Sequence, residues 1–405
     1  MLEESTVTAA PGKLRTGDPG MRNIRIGLFG AGVATFALLY SPQPLLPLLS
    51  SGFKVSPAGA SLAMSAATLA LAVAIIPLSS LSEVYGRQRV MTISVVSAAV
   101  LGIATAFAPS MGALIGLRVA EGIALAGMPA SAMAYLREEV DPGSLSLAMG
   151  VFVGGNGIGG LAGRIIAGLL ADVGGWRVSM AGVSAVSLVC AAGCAVMLPK
   201  SRFFTPSSPR VSVLLGTLRT NLTDSRLARL YLIGFALMGA YVTVYNYLTY
   251  RVSEPPFNLS PTEVGLLFTV YLAGTYASSK AGGLADSFGR YRVLITGASV
   301  TFAGVLLTLP ANLALIVTGL ILLTMGFFAA HSVASSWVSG AARVAPAQSS
   351  ALYLCLYYVG SSVAGSVGGV FYASGGWPST VVFVVVLLAV ALASALTLRW
   401  GRPAR

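Results

Sequence analysis

Long apolar segments separated by short polar breaks occupy most of the chain. A helix needs roughly 20 apolar residues to cross the hydrocarbon core of a membrane, and the pattern contains twelve such segments, here called spans 1 to 12. No stretch alternates as a strand would. The pattern predicts an all-α membrane protein with twelve transmembrane helices and both termini on one side. The predicted bounds are 24–49, 57–81, 88–108, 111–136, 144–172, 176–198, 227–250, 261–284, 290–309, 312–340, 347–373 and 377–399.

A short charged stretch occurs twice, between spans 2 and 3 and again between spans 8 and 9. Each copy has an acid, then a glycine that permits a sharp turn, then two arginines. Such a cluster must lie where water reaches it, so both copies are predicted to be loops, and we expect them to act as gates. Their residues are Glu83, Gly86, Arg87 and Arg89 in the first copy and Asp286, Gly289, Arg290 and Arg292 in the second.

The repeated loops divide the chain into two similar halves of six spans each. A polar linker with several arginines and three prolines separates the halves. Duplicated bundles of this kind imply a central pathway between them. The predicted parts are an N-terminal tail over 1–23, a first bundle over 24–198, the linker over 199–226, a second bundle over 227–399 and a C-terminal tail over 400–405.

Composition and charge agree with a membrane protein. Charged residues make up only 9% of the chain, against about one quarter in soluble domains, and the mean hydropathy is +0.82. The net charge of +12 comes from basic residues in the tails, the linker and the two loops, so it marks the cytoplasmic side rather than a nucleic-acid surface. Only Lys54, Arg177 and Arg251 are placed on the opposite side.

The repeated loops resemble the signature of the major facilitator superfamily, G-x-L-A-D-x-x-G-R-x-R. The second copy, Gly282 to Arg292, fits well, whereas the first has Ser79 for the leading glycine, Glu83 for the aspartate and Val84 for a basic residue. The resemblance covers about 24–399. It implies two six-helix bundles that rock around a central site and a secondary transporter that works by alternating access.

Spans 4 and 5 carry two further resemblances. Arg118 and Gly122 are similar to the R-x-x-x-G pattern of the family, and glycine-rich span 5 resembles the antiporter signature, with Asn156 where a proline is typical. The segments 121–139 and 155–164 resemble a bacterial inner-membrane subgroup of arabinose or multidrug exporters. That resemblance implies a monomer in the inner membrane, in contact with lipid, that exports a drug-like compound or a sugar in exchange for protons.

Few ionisable side chains lie inside the predicted spans, where such groups are costly and usually functional. Arg118 and Glu121 share one face of span 4, and Glu121 lies roughly 15 Å deep. Arg164 lies roughly 12 Å deep in span 5, so the three could meet. They either form a static ion cluster or hold a carboxylate that gains and loses a proton. His331 in span 10 is a second proton candidate, or a packing residue.

Polar and aromatic side chains near the middle of several spans are candidates for a substrate cavity. An alternative for the tyrosines is packing or anchoring at the membrane surface, and Lys280 could instead extend to the cytoplasm. The candidates are Tyr40, Gln43, Asn156, Tyr245, Asn246, Tyr271, Lys280 and Tyr357.

Other classes of function lack support in the sequence. There is no phosphate-binding loop, no metal spacing, no cofactor motif, and only one histidine, which disfavours an enzyme. The three cysteines lie in apolar runs and form no disulfide framework. An importer or facilitator of a small metabolite, without proton coupling, remains the alternative to an exporter. A membrane receptor is a more distant one, because it needs neither duplicated bundles nor buried charges.

The charge asymmetry makes a prediction about topology. A single cysteine introduced at Ser207, in the linker, should react with a membrane-impermeant thiol reagent only in inside-out vesicles. A cysteine at Lys54 is the control and should react in intact cells. Labelling of position 207 from outside intact cells would contradict the orientation.

Overall fold

A computed structural model describes residues 12–206, 216, 219–342 and 345–398, apart from the side chain of Ala347. Most of the predicted tails, much of the linker with Ser207, and the end of span 12 lie outside these residues. The helices are α1 Pro19–Tyr40, α2 Leu46–Phe53, α3 Pro57–Tyr85, α4 Arg87–Thr105, α5 Met111–Glu139, α6 Pro142–Met197, α7 Ser225–Ser253, α8 Pro261–Leu267, α9 Tyr271–Phe288, α10 Arg290–Leu307, α11 Leu313–Ala341 and α12 Pro346–Thr397.

Two of these helices cross the membrane twice. Glycine pairs 174–175 and 375–376 interrupt α6 and α12 with non-helical backbone, and Gly175 and Gly376 have φ of +69° and +61°, which favours glycine. Nine helices of the described chain are long and apolar enough to span, with α1 and α2 taken together. The two bends and the less apolar α8–α9 segment supply three more crossings. The predicted all-α class with twelve crossings is confirmed.

Spans 1 and 8 differ from the single helices predicted. A 3₁₀ turn over Gln43–Leu45 separates α1 from α2, and another over Phe268–Val270 separates α8 from α9. Pro42 and Pro44 explain the first break because proline lacks the backbone N–H that a continuing helix requires. No proline lies in the second turn. Both breaks bring side chains to one place between the halves, described below.

Close contacts between backbones hold each half together. In the first half α1 packs along α6 and α3 along α5, and in the second half α7 packs along α12 and α10 along α11. Glycines make these approaches possible: a Cβ at Gly159 would collide with the backbone of Val33, and one at Gly360 with that of Phe235. Small residues are the usual means by which membrane helices come this close. The halves meet mainly where α3 contacts α12 and α6 contacts α8.

Two glycines of α6 give a matched test of this packing. Gly159→Ala inserts a methyl group against the backbone of Val33, whereas a Cβ at Gly157 has no heavy atom within 4 Å. We expect Gly159→Ala to cost about 1–3 kcal/mol from overpacking and to lower the melting temperature of the purified protein. Gly157→Ala should be neutral or slightly stabilising, because alanine favours a helix by up to about 1 kcal/mol. Equal melting temperatures for the two variants would contradict the packing described.

Candidate functional site

The bonds that join the two halves lie toward one side of the molecule. We call the ends of the helices near 53–57 and 253–261 the far side, and the ends near 85–87 and 288–290 the linker side. In the described residues no hydrogen bond or ion pair joins the halves near the linker-side ends. Side chains from both halves bond to each other farther from those ends, in the pairs Gln43–Asn246, Ser50–Tyr250, Thr68–Ser362 and Arg164–Tyr271. Two bonds involve the backbone as well: the hydroxyl of Tyr250 donates to the carbonyl of Leu46, and the amide of Thr262 donates to the carboxylate of Asp172.

Arg164 lies at the centre of these contacts, and only 2% of it is exposed. Its guanidinium donates from Nε to Oε1 of Gln43 at 2.8 Å and from Nη1 to the carbonyl of Gly160 at 2.6 Å. Nη2 lies 3.2 Å from the hydroxyl of Tyr271. Arg164 therefore contacts its own helix and both of the spans that a 3₁₀ turn interrupts, spans 1 and 8.

Three aromatic rings surround the same guanidinium. The Cζ atom of Arg164 lies 4.4 Å from the ring centre of Tyr40, 4.8 Å from that of Phe268 and 4.7 Å from that of Tyr271. Cation–π contacts at such distances are attractive, most of all away from water. No carboxylate of the described chain lies within 4.0 Å of this arginine. Arg164 is thus a buried cation that neutral groups alone accommodate.

The polar chain continues from Arg164 into the second half. Gln43 donates from Nε2 to Oδ1 of Asn246 at 2.8 Å, and both side chains are at most 1% exposed. Among the residues described, the other amide atom of Asn246, Nδ2, has no hydrogen-bond partner, and neither has Oγ of Ser65. Both atoms lie beside Gly365. Buried donors without partners are uncommon and mark a place where another polar group can bind.

An aromatic column connects Arg164 with His331. The ring centre of Tyr241 lies 5.7 Å from that of Tyr271 and 4.0 Å from that of Phe327. The ring centre of Phe327 lies 5.8 Å from that of His331. His331 also lies 4.6 Å from Tyr357, and its Nδ1 is 3.0 Å from the hydroxyl of Tyr353. Tyr245 joins the column at Tyr271 and bonds Thr324 at 2.6 Å. Most of the predicted cavity tyrosines and His331 therefore belong to one continuous cluster of packed rings.

Arg118 and Glu121 form a separate pair, and Arg164 does not meet it. Nη1 of Arg118 donates to Oε2 of Glu121 at 2.7 Å, and both residues are 1% exposed. The guanidinium also donates to the carbonyls of Leu38, Leu39 and Ala63. Arg118 therefore ties span 4 to spans 1 and 2 of its own half. Oε1 of Glu121 has no hydrogen-bond partner in the part of the chain that the structure describes.

The two gate loops adopt the turn that their glycines predict. Gly86 has φ of +99° and Gly289 has φ of +89°. In the first loop Arg87 pairs with Glu83 at 3.5 Å and with Glu138 at 3.2 Å; Arg89 is exposed. In the second loop Asp286, Arg290 and Arg292 are exposed. The loops make no hydrogen bond or ion pair across the halves among the residues described.

Two predicted cavity residues lie apart from the column. Asn156 packs against Gly32 of α1, and its Oδ1 finds no hydrogen-bond partner within the described residues. Lys280 is exposed, with its ammonium 5.8 Å from the ring of Tyr276, which is exposed as well. Neither side chain contributes to the cluster around Arg164.

Sequence reasoning missed three phenylalanines of this site, Phe268, Phe327 and Phe328. They are apolar residues in apolar helices, so composition gave no reason to choose them. One signal was available: Phe327 and Phe328 precede His331 by four and three positions, which places them on its face of the helix. Phe268 precedes Tyr271 by three positions in the same way.

Comparison with known proteins gives a consistent result. The profile of the Major Facilitator Superfamily matches residues 28–254 and 230–405. The MFS-type transporter YybF of Bacillus subtilis is 42% identical over 94% of both chains. The inner membrane transport protein YnfM of Escherichia coli is 40% identical over 94% of this chain and 91% of that protein. The tetracenomycin C resistance and export protein of Streptomyces glaucescens is 36% identical over 27% of this chain and 20% of that protein.

A solved structure has the same fold. A bacterial homologue of the human lysosomal transporter Spinster, in an inward-facing and unoccupied conformation, superimposes with a TM-score of 0.81. The superposition covers 96% of this chain and all of that one, at 14% sequence identity.

Proposed function

The chain belongs to the Major Facilitator Superfamily, and from this premise we propose that it exports a small organic molecule in exchange for protons by alternating access. Its relatives are transporters and not enzymes. The observation that carries the proposal is the one-sided contact between the halves. A carrier that alternates must be able to open each side in turn, and here the halves are bonded toward the far side and unbonded on the linker side.

Proton coupling is assigned to Glu121. The carboxylate is buried, where the loss of water favours its neutral form, while Arg118 beside it favours the charged form. These two effects oppose each other, so a change in the exposure of the site can shift the balance. Oε1, without a partner, is the oxygen at which a proton can be gained. His331, on the aromatic column, is the second candidate for the proton.

Export rather than import is supported by a limited similarity. The Streptomyces relative is named as a resistance and export protein, and its match covers about a quarter of this chain. We also infer a monomer in the bacterial inner membrane with its tails and linker in the cytoplasm, which makes the linker side the cytoplasmic side. The domain bounds proposed are those given above, and each six-span bundle moves as one body.

Glu121→Gln is the test of proton coupling. Glutamine keeps a hydrogen-bond acceptor for Arg118 but cannot lose a proton. With a compound selected because it raises the melting temperature of the purified protein, we expect the variant to retain binding and counterflow in proteoliposomes. It should lose uphill transport driven by a pH gradient.

Glu254→Gln is the matched control because Glu254 is exposed on the far side. It should transport like the natural protein. If Glu121 only holds a static ion pair, its loss leaves a buried arginine unpaired, which costs about 3–5 kcal/mol, and the variant will be poorly folded. A well-folded Glu121→Gln protein that still transports uphill would exclude Glu121 and turn attention to His331.

A further inference from the structure

We propose that Arg164 binds the acidic group of an organic anion and that the rings beside it bind the flat, apolar part of the same molecule. The inference rests on the proposed transport function and narrows its substrate to aromatic or similarly flat carboxylates. The structural basis is the juxtaposition of a buried guanidinium that lacks a carboxylate partner with an aromatic column that begins at Tyr271.

The two deeply buried arginines, Arg118 and Arg164, differ in one respect that decides which of them can bind an anion. Arg118 has a carboxylate, Glu121, at 2.7 Å and three backbone carbonyls. Arg164 is equally buried, yet its acceptors are an amide oxygen, a carbonyl and a hydroxyl. A buried charge is unfavourable unless an opposite charge accompanies it. Arg164 is therefore the deeply buried cation whose charge an incoming anion would neutralise.

The surrounding backbone is arranged as a ligand site. Gln43 lies in one 3₁₀ turn and Phe268 in the other, and Tyr271 is the first residue of α9. Helices that break within the membrane are a common way to build a substrate site. Two independent breaks thus converge on Arg164.

The rings define the remainder of the ligand. A guanidinium binds a carboxylate through two parallel hydrogen bonds, which would use the Nε and Nη2 positions that now bond Gln43 and Tyr271. The body of the ligand can then extend along Tyr271, Phe328 and Tyr357, which are only half-buried. Aromatic rings favour offset or edge contacts with another ring. An aromatic acid satisfies both parts of the site, whereas a sugar has no charge for the first.

Binding at Arg164 has a consequence for the transport cycle. The Arg164–Tyr271 bond joins the two halves directly, and Gln43 joins Arg164 to Asn246 of the second half. An anion that takes over the arginine releases both links. Nδ2 of Asn246, which has no partner among the described residues, can then donate a hydrogen bond to the anion or to Oε1 of Gln43. Arrival of the substrate from the linker side thereby loosens the contact that closes the far side.

The proposal is tested by binding of matched acids and amides to the purified full-length protein. The probes are benzoate and benzamide, salicylate and salicylamide, and cinnamate and cinnamamide, measured by equilibrium dialysis. We expect at least one acid to bind about tenfold to a hundredfold more tightly than its amide, as for a hydrogen-bonded ion pair. Arg164→Gln should remove this preference. Arg177→Gln, an exposed arginine of α6 that bonds the carbonyls of Ala106 and Ala108, should retain it.

Gln43→Glu keeps the arginine. It tests whether Arg164 prefers acids because it has no carboxylate beside it. The substitution places a carboxylate beside Nε of Arg164, at the position of the present amide oxygen. Asn246 can rotate its amide and donate from Nδ2, so folding should be preserved. We expect the preference for acids to disappear in this variant. If Arg164→Gln folds poorly, Arg164→Lys is the substitute. Lysine keeps the positive charge but lacks the two parallel N–H donors of arginine, so this variant should still prefer acids to amides, by a smaller factor.

Three results would overturn the proposal: no binding by any of the three acids, equal binding of acids and amides, or a preference for acids that survives both Arg164→Gln and Gln43→Glu. These results are independent of the direction and energy source of transport. A protein that prefers acids through Arg164 but fails to move them against a gradient would instead contradict the proposed function.

Discussion

Burial of charge is the constraint on which this structure depends. A membrane protein can bury an arginine only if enough acceptors surround it, and this chain solves the problem twice. Arg118 is neutralised by Glu121 and by three carbonyls, and it unites three spans of one half. Arg164 is held by weaker neutral acceptors, one of which belongs to the other half. The environment of Arg118 suits a permanent contact, whereas the environment of Arg164 suits a contact that must break.

This difference connects packing with function. Within each half, glycines bring backbones together, so that helix pairs such as α1–α6 and α7–α12 pack closely along each other. Between the halves the bonds are few, they involve side chains for the most part, and they lie away from the linker side. Rigid bundles with a breakable contact are the mechanical requirement for alternating access. A ligand can shift such an equilibrium only through bonds that differ between the two states. In the mechanism we propose, the bonds of Arg164 are the ones that differ.

Much of the fold followed from the sequence, and part of the site did not. Apolar segment length predicted the spans, and the positive φ of Gly86 and Gly289 agrees with the turns inferred from the repeated loops. The helix breaks at Gln43 and Phe268 were missed, since hydropathy averages over a turn and the second break has no proline. Depth along a helix placed Arg164 and Glu121 at similar levels, but depth does not tell which helices lie side by side. In the structure the two side chains bind different partners, Gln43 and Arg118.

The central claim is that the contact between the halves must open during transport. Thr68 and Ser362 lie in opposite halves with their hydroxyl oxygens 2.7 Å apart, so cysteines at both positions, in a protein whose Cys190, Cys194 and Cys355 are replaced, can form a disulfide. Oxidation should reduce counterflow of a bound ligand to the level of empty liposomes, and reduction should restore it, while the single-cysteine variants are unaffected. Undiminished counterflow by the fully cross-linked protein would contradict the account.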